Sequence, residues 1–319
     1  MKWLEKCLLS IEAQTFKSFE VVFVDNVSTD GSTEYVEKAF PWVRVVRNKK
    51  DLGFAGANNV GVEHAKGQYV FLINTDTELF PDAVEKLIKA YRPKSILTAR
   101  QIPTRDKNRG VQRTGAGADL FGYPYFNHAH PEKTKIFYAD GAAMFLSKQD
   151  FEDIGGFDEK LFMFQEDIDF SWRAQMIGYN ILGVTEAKLY HYYGGTATIT
   201  INKEDVYTTS YFRRYLNERN VIRNILKNYS LLFIVPILSG LLLIHTVEMS
   251  LLLMIGKWKV VRCYLNAYRW NLRNIKNTLD QRRMVQSKRT VSDAQIIKQM
   301  YWKYSKFHAF LKVGMPDFK

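Results

Sequence analysis

The 319 residues predict an α/β fold with a mostly parallel, doubly wound sheet, followed by a helical, membrane-associated C-terminal region. Three features predict it. Short β-branched runs alternate with amphipathic stretches through the first half, and acidic or polar clusters stand where those runs end. The last third holds a strongly apolar segment followed by a basic, aromatic tail.

The strand-like runs are Val21 to Val24, Val43 to Val46, Tyr69 to Ile73 and Ser95 to Thr98, with Ala142 to Leu146 later. Between them Ser32 to Phe40, Gly56 to Ala65 and Pro81 to Tyr91 carry apolar residues at helical spacing, Pro81 at a favoured first-turn position. Helices are also expected at Lys148 to Ile154 and around Asp167 to Ile177. The chain opens on an amphipathic helix with Leu4, Leu8 and Ile11 on one face. Such sheets usually open on a buried strand, so one is expected to be missing before Met1, from a fragment or a late start. Arg100 to Lys135, rich in Gly, Pro, Asn and aromatics, reads as a substrate-facing loop region.

A domain over 1–200 is therefore expected, then a basic helix over 201–228, an apolar segment over 229–256 and a basic aromatic tail over 257–319. Leu231 to Ile255 is broken by Pro236, Gly240, His245 and Glu248, and a mid-membrane carboxylate costs roughly 2.5–3.5 kcal/mol or more. A clean single span is not expected. Basic residues from Lys257 to Arg289, interleaved with Trp258, Tyr264, Tyr268 and Trp270, suit an anionic membrane surface better than nucleic acid. A buried hairpin or a homodimer contact is the competing reading. The net charge of +12 fits any polyanionic partner, including a diphosphate substrate. Cys7 and Cys263 match no metal or disulfide pattern, which suits a reducing compartment. No secretory leader pattern opens the chain, so the bulk is expected to face the cytosol.

Four clusters carry the candidate chemistry, at strand ends where open α/β sheets bind ligands. In Asp25-Asn26-Val27-Ser28-Thr29-Asp30-Gly31-Ser32, Asp25 is placed to accept hydrogen bonds from a base or ribose, while Asp30 or Ser32 also reads as a helix cap. In Asp51-Leu52-Gly53-Phe54-Ala55-Gly56-Ala57-Asn58-Asn59, a glycine-bearing helix start offers free N–H groups to a phosphate or ribose, though such glycines often serve turn geometry alone. In Asn74-Thr75-Asp76-Thr77-Glu78, Asp76 is the candidate ligand for a hard divalent cation that shares its shell with a diphosphate, against a capping role. In Phe162 to Arg173, aromatic residues precede Glu166 and Asp167, an arrangement that raises a carboxyl pKa and suits Asp167 as a base; Asp169 reads as structural. His191 is a candidate metal or phosphate ligand against the plain reading of a lone histidine.

Taken together and in order, these motifs resemble glycosyltransferase family 2, and within it the rhamnosyltransferase-like branch that builds cell-surface polysaccharides. The resemblance runs from about Leu4 to Lys227 and includes Gly155-Gly156-Phe157-Asp158 ahead of Glu166-Asp167. It implies the GT-A fold and an inverting transfer from a nucleoside-diphosphate sugar, dTDP- or UDP-linked, to a saccharide or lipid-linked acceptor at the cytoplasmic face of a membrane. It implies Asp167 with Glu166 in catalysis, and Asp76 with His191 on a Mg2+ or Mn2+ ion. Donor contacts fall to Asp25, Asn26, Ser28, Gly53, Phe54, Asn58, Asn74, Asp76 and Arg219. Asn74 stands where the Asp-x-Asp site has its first acid, which lowers the local charge. The alternatives are an impaired nucleotide-binding or scaffold protein of the same fold, and a nucleotidyltransferase, for which no lysine-bearing glycine-rich loop is found.

Overall fold

The structure is a computed structural model that describes residues 3–103, 114–125, 135–192, 200–201 and 207–318. The chain divides into two compact units. Unit 1 holds Met1–Ala116, Phe126–Ala174 and Tyr179–Gly195; unit 2 holds Gly117–Tyr125, Gln175–Gly178 and Thr196–Lys319. Two short stretches inside the expected 1–200 domain therefore group with unit 2.

Unit 1 runs α1 (Leu4–Glu12), β1 (Val22–Asp25), α2 (Ser32–Ala39), β2 (Arg44–Arg47), α3 (Gly53–His64), β3 (Tyr69–Ile73), β4 (Thr77–Leu79), α4 (Ala83–Ala90) and β5 (Ser95–Pro103). In α1 the residues Leu4, Cys7, Leu8 and Ile11 are buried, the i, i+3, i+4, i+7 stripe of a core-facing helix. They join Val36, Leu87, Leu97, Phe145 and Leu189 in one apolar core. After β6 (Gly117–Ala118) and β7 (Pro124–Tyr125), both in unit 2, come β8 (Ala143–Ser147), α5 (Lys148–Ile154), α6 (Glu166–Met176), which enters unit 2 at its last turn, and β9 (Asn180–His191).

The strands β3, β8, β5, β9 and β4, in that order, form a five-stranded sheet, and β1 and β2 form a separate parallel pair. The expectation of a mostly parallel sheet is corrected here. Within the five-stranded sheet only β5 and β9 pair in parallel, while β3 with β8, β5 with β8, and β4 with β9 are antiparallel. Apolar runs report burial rather than direction. Among the described residues between β5 and β8 there are only the short strands β6 and β7, which impose no parallel crossover on β8.

Unit 2 continues with β10 (Thr200–Ile201), β11 (Tyr207–Thr209), α7 (Tyr211–Asn228), α8 (Leu231–Met254), α9 (Trp258–Arg273), α10 (Ile275–Ser287), α11 (Asp293–Ile297), α12 (Ser305–Val313) and β12 (Asp317–Phe318). The basic helix expected over 201–228 starts at Tyr211, because Ser210 caps it: its hydroxyl accepts from the Arg213 N–H at 3.1 Å. The substrate-facing loop expected over Arg100 to Lys135 lies partly outside the described residues; its described part includes the end of β5 and the β6–β7 pair.

Candidate active site

β1 ends on Asp25, a buried residue whose Oδ1 accepts from the Ser28 N–H at 2.8 Å. Burial pushes this carboxyl up, but hydrogen bonds from Ser28 and Thr33 outweigh it and hold the group below its ordinary value. Asn26 then ties the turn to the start of α3. Its Oδ1 accepts from Asn48 Nδ2 at 3.1 Å and from the Leu52 N–H at 3.0 Å, and its Nδ2 donates to Asp51 Oδ1. The same Asp51 oxygen accepts from the Gly53 N–H at 2.8 Å. This local capping starts α3 three residues ahead of the expected Gly56.

Gly53 has φ +66°, and a Cβ there would stand 2.3 Å from the Phe162 carbonyl oxygen. That oxygen accepts the Ala55 N–H at 3.0 Å, so the loop before α6 lies against the first turn of α3. Phe162, Phe164 and Gln165 all hold positive φ. Non-glycine residues in that region cost of order 1–3 kcal/mol each and persist where surrounding structure fixes them. What they fix is the approach to α6, whose first two residues are Glu166 and Asp167.

A Cβ built on Gly141 would meet the Phe54 ring at 2.9 Å and the Asp167 Cβ at 3.9 Å, so Phe54 and Asp167 border one small space. Asp167 Oδ2 faces the Gly141 N–H at 3.5 Å, and its Oδ1 accepts from the Ile168 N–H at 2.8 Å. Burial pushes the Asp167 carboxyl up to about 7, and the negative charge of Asp140 adds to the shift. Glu166 is raised well above the carboxylate range, by burial first and then by Asp167, and its Oε2 has no hydrogen-bond partner among the described residues. Asp169 is structural, as its helical position suggested. It accepts Arg173 Nε at 2.9 Å, and the same guanidinium donates to the carbonyls of Ile154 at 2.7 Å and Gly156 at 2.6 Å. Asn58 spends its amide on the Phe54 carbonyl at 2.9 Å.

Asp76 and His191 are brought together. Asp76 Oδ1 lies 3.3 Å from His191 Nε2, and Thr77 opposite His191 in the β4–β9 ladder sets the pair. His191 Nδ1 is 2.7 Å from Gln101 Oε1. That oxygen only accepts, so Nδ1–H is its donor and Nε2 is the ring nitrogen that faces Asp76. A carboxylate oxygen and an imidazole nitrogen this close together could both reach one divalent cation. The donor set thus fits a divalent cation. No group of three or more His, Cys, Asp or Glu able to hold a metal occurs among the described residues, so a cation held by this pair would take its other ligands from substrate oxygens and water.

The two halves of the site meet at one sheet end. Ile73, the last residue of β3, pairs with Ala143, the first of β8. Asn74 to Asp76 follow the former, and Asp140 and Gly141 precede the latter. Asn74 offers its carbonyl to Thr77 Oγ1 at 2.7 Å, which shapes the turn carrying Asp76.

With this geometry in place the comparisons are specific. The family profile described as Glycosyl transferase family 2 matches residues 1–155. Residues 1–155 belong to glycosyl transferase family 2. The N-acetylglucosaminyl-diphospho-decaprenol L-rhamnosyltransferase of Mycobacterium tuberculosis is 24% identical over 221 residues, 59% of this chain and 71% of that protein. Among solved structures, S. aureus TarS 1-349 in complex with UDP superposes with a TM-score of 0.52 at 19% identity, covering 98% of this chain and 88% of that one. GalNAc-T7 with UDP, GalNAc and Mn2+ gives 0.53 at 16% identity, covering 70% of this chain and 45% of that one. The fold of this glycosyltransferase is therefore GT-A.

Sequence reasoning missed Gln101, and it quoted Asn59 in the motif that opens α3 without giving it a role. Gln101 orients His191 across ninety positions, and no pattern in the sequence marks it. Asn59 clamps the turn after α5: its Oδ1 accepts from the Phe157 N–H and its Nδ2 donates to the Phe157 carbonyl, each at 2.9 Å. Its place beside Asn58 was the available signal. Arg219 lies in unit 2, on α7, where it stacks over Trp270 at 4.4 Å and donates to Asn220 Oδ1.

Proposed function

We propose that this glycosyltransferase is inverting and metal-dependent, and moves a sugar, rhamnose first among candidates, from a dTDP- or UDP-linked donor to a saccharide or lipid-linked acceptor. It would serve cell-surface polysaccharide synthesis from the cytoplasmic face of a membrane. The observation that supports this reading most is the pairing of Asp76 with His191 at the same sheet end as Asp167. The likeness to the diphospho-decaprenol rhamnosyltransferase supports rhamnose and a lipid-linked acceptor.

In this reading Asp167 takes the proton of the acceptor hydroxyl as that oxygen attacks the anomeric carbon and the bond to the nucleoside diphosphate breaks on the opposite face. A carboxyl raised to about 7 is suited to this, since a base works best with a pKa near the operating pH. Glu166 stays neutral beside it, so its own charge does not compete. Asp76 and His191 would hold the cation, which when bound offsets charge on the departing diphosphate. Asp25, Asn26 and Ser28 would line the nucleoside end, and Gly53, Phe54 and Asn58 the donor side of α3. Arg219, on α7, is proposed for diphosphate or acceptor-lipid binding.

The test is a radiolabelled-sugar transfer assay on Asp167→Asn, with donor binding measured in parallel. Loss of transfer with donor binding kept supports the assignment. Full transfer by the variant removes it.

A further inference from the structure

α8 is 24 residues long with a mean hydropathy of 2.1, and only 11% of its apolar window is buried. Its two costly residues face the other way. His245 is fully buried, with Nδ1 2.8 Å from Tyr268 Oη and Nε2 3.2 Å from Glu218. Glu248 accepts from Tyr264 at 2.6 Å, Tyr304 at 2.9 Å and Lys306 at 2.8 Å. These bonds hold one face of α8 against α7, α9 and α12, all within unit 2. The opposite face leaves Leu232, Val235, Leu243, Val247 and Met254 each more than half exposed. Two hydroxyls on that face are already satisfied: Thr246 donates to the Leu242 carbonyl at 2.8 Å and Ser250 to the Thr246 carbonyl at 2.9 Å. That is the condition a polar group must meet in contact with hydrocarbon.

α9 extends this surface and changes its character. Trp258, Leu265 and Leu272, seven residues apart, are exposed. Leu265 and Leu272 stand three and four residues either side of Tyr268, the residue that bonds α8, so they border α8. On their other flank lie Lys259, Arg262, Arg269 and Arg273, all exposed. No acidic residue occurs between Glu248 and Asp280. An apolar helix bordered by a cationic row with no acid in it is complementary to the acyl and headgroup layers of an anionic bilayer.

We infer that α8 lies in the plane of an anionic phospholipid membrane, with Arg262, Arg269 and Arg273 on the headgroups, and does not cross it. This deepens the membrane reading of the proposed function and rests on it. A span would strip Glu248 of Lys306 and of two tyrosine hydroxyls, or drag those groups into hydrocarbon. Lying flat keeps every one of these bonds.

Two measurements test this. Cys7 and Cys263 are buried, so single cysteines at Ser230→Cys and Lys257→Cys report the two ends of α8. In sealed inside-out vesicles from a bacterial host making the full chain, a membrane-impermeant maleimide should label both; labelling of one end alone overturns the inference in favour of a span. Purified chain should also float with phosphatidylcholine vesicles containing phosphatidylglycerol and poorly with phosphatidylcholine alone. Arg269→Gln with Arg273→Gln should weaken that binding about fivefold per charge. No flotation, with a dimer in solution that Leu243→Ser and Val247→Ser dissociate, assigns the surface to a second copy and overturns the inference. Sugar transfer by the same variants to a water-soluble acceptor is read separately, so failure of the membrane surface is distinguishable from failure of the enzymatic reading.

Discussion

Two buried carboxylate centres in this protein have opposite surroundings. In unit 2, Glu218 accepts from Tyr123 Oη, from Arg214 at 2.9 Å and from Lys306 at 3.0 Å, and lies 3.2 Å from His245. Burial pushes its pKa up, yet the charge of Lys306 and the bonds to His245 and Arg214 hold it well below the carboxylate range. In unit 1, Glu166 and Asp167 stand beside Asp140 and each other, and both are raised. One centre has been given cations and hydroxyls, the other like charges. A buried acid with every partner reads as structure, and one held among other acids reads as chemistry.

The largest expected effects break this contrast directly. Asp167→Asn should lower transfer by about 10²–10⁴-fold, the usual contribution of a positioned base, without lowering the melting temperature. The sign follows from linkage. Asp167 keeps its proton in the folded chain up to about pH 7, while an unfolded aspartate loses it near the ordinary 3.8. Rising pH through that window therefore weakens the fold, and Asn removes the weakening. Melting curves of the variant at pH 8 should lie at or above the parent; a drop would mean Asp167 is structural. Glu218→Ala should do the reverse. It leaves Arg214 without its acid and Lys306 with Glu248 alone, a loss of roughly 3–5 kcal/mol in chemical denaturation, with little effect on turnover per folded molecule.

At the metal pair the effect should be graded. Asp76→Ala should abolish the dependence of nucleoside-diphosphate binding on Mn2+ in calorimetry. Gln101→Ala should weaken Mn2+ affinity by about 10–100-fold, as for other groups that orient a histidine ligand. Equal metal dependence in Gln101→Ala and the parent would mean that the His191 contact is only packing. Gly53→Ala is a smaller structural test, because its Cβ would press on the Phe162 carbonyl from a backbone at φ +66°. A stability loss of about 1–3 kcal/mol with disturbed transfer is expected.

Much of this was legible in the chain because the informative residues sit at strand ends. Asp25, Asp76 and Asp167 each close a β-branched run or open a helix, and the structure puts each at such a junction. Sheet direction was not legible, since Ala143 to Ser147 reads as a buried strand whichever way it runs. Nor were the contacts that join distant segments. Gln101 reaches His191, Asn59 reaches Phe157, and Glu248 reaches Lys306 through three-dimensional closure alone. The apolar run of α8 shows a second limit: hydropathy averages over a helix and misses that His245 and Glu248 share one face.

The finest test of the contrast concerns Asp140. Burial is the larger cause of the raised Asp167 pKa, and the Asp140 charge is the next. A rate that needs ionised Asp167 should rise with pH and level off above an apparent pKa near 7. Asp140→Asn removes one negative neighbour and leaves burial untouched, so the rising limb should move to lower pH by less than the full displacement, with the plateau kept. Glu166→Gln should shift it less, because Glu166 is neutral where Asp167 ionises and a neutral amide replaces a neutral acid. If Glu166→Gln moves the limb more than Asp140→Asn, the proton is shared between Glu166 and Asp167 and the base is the pair rather than Asp167 alone.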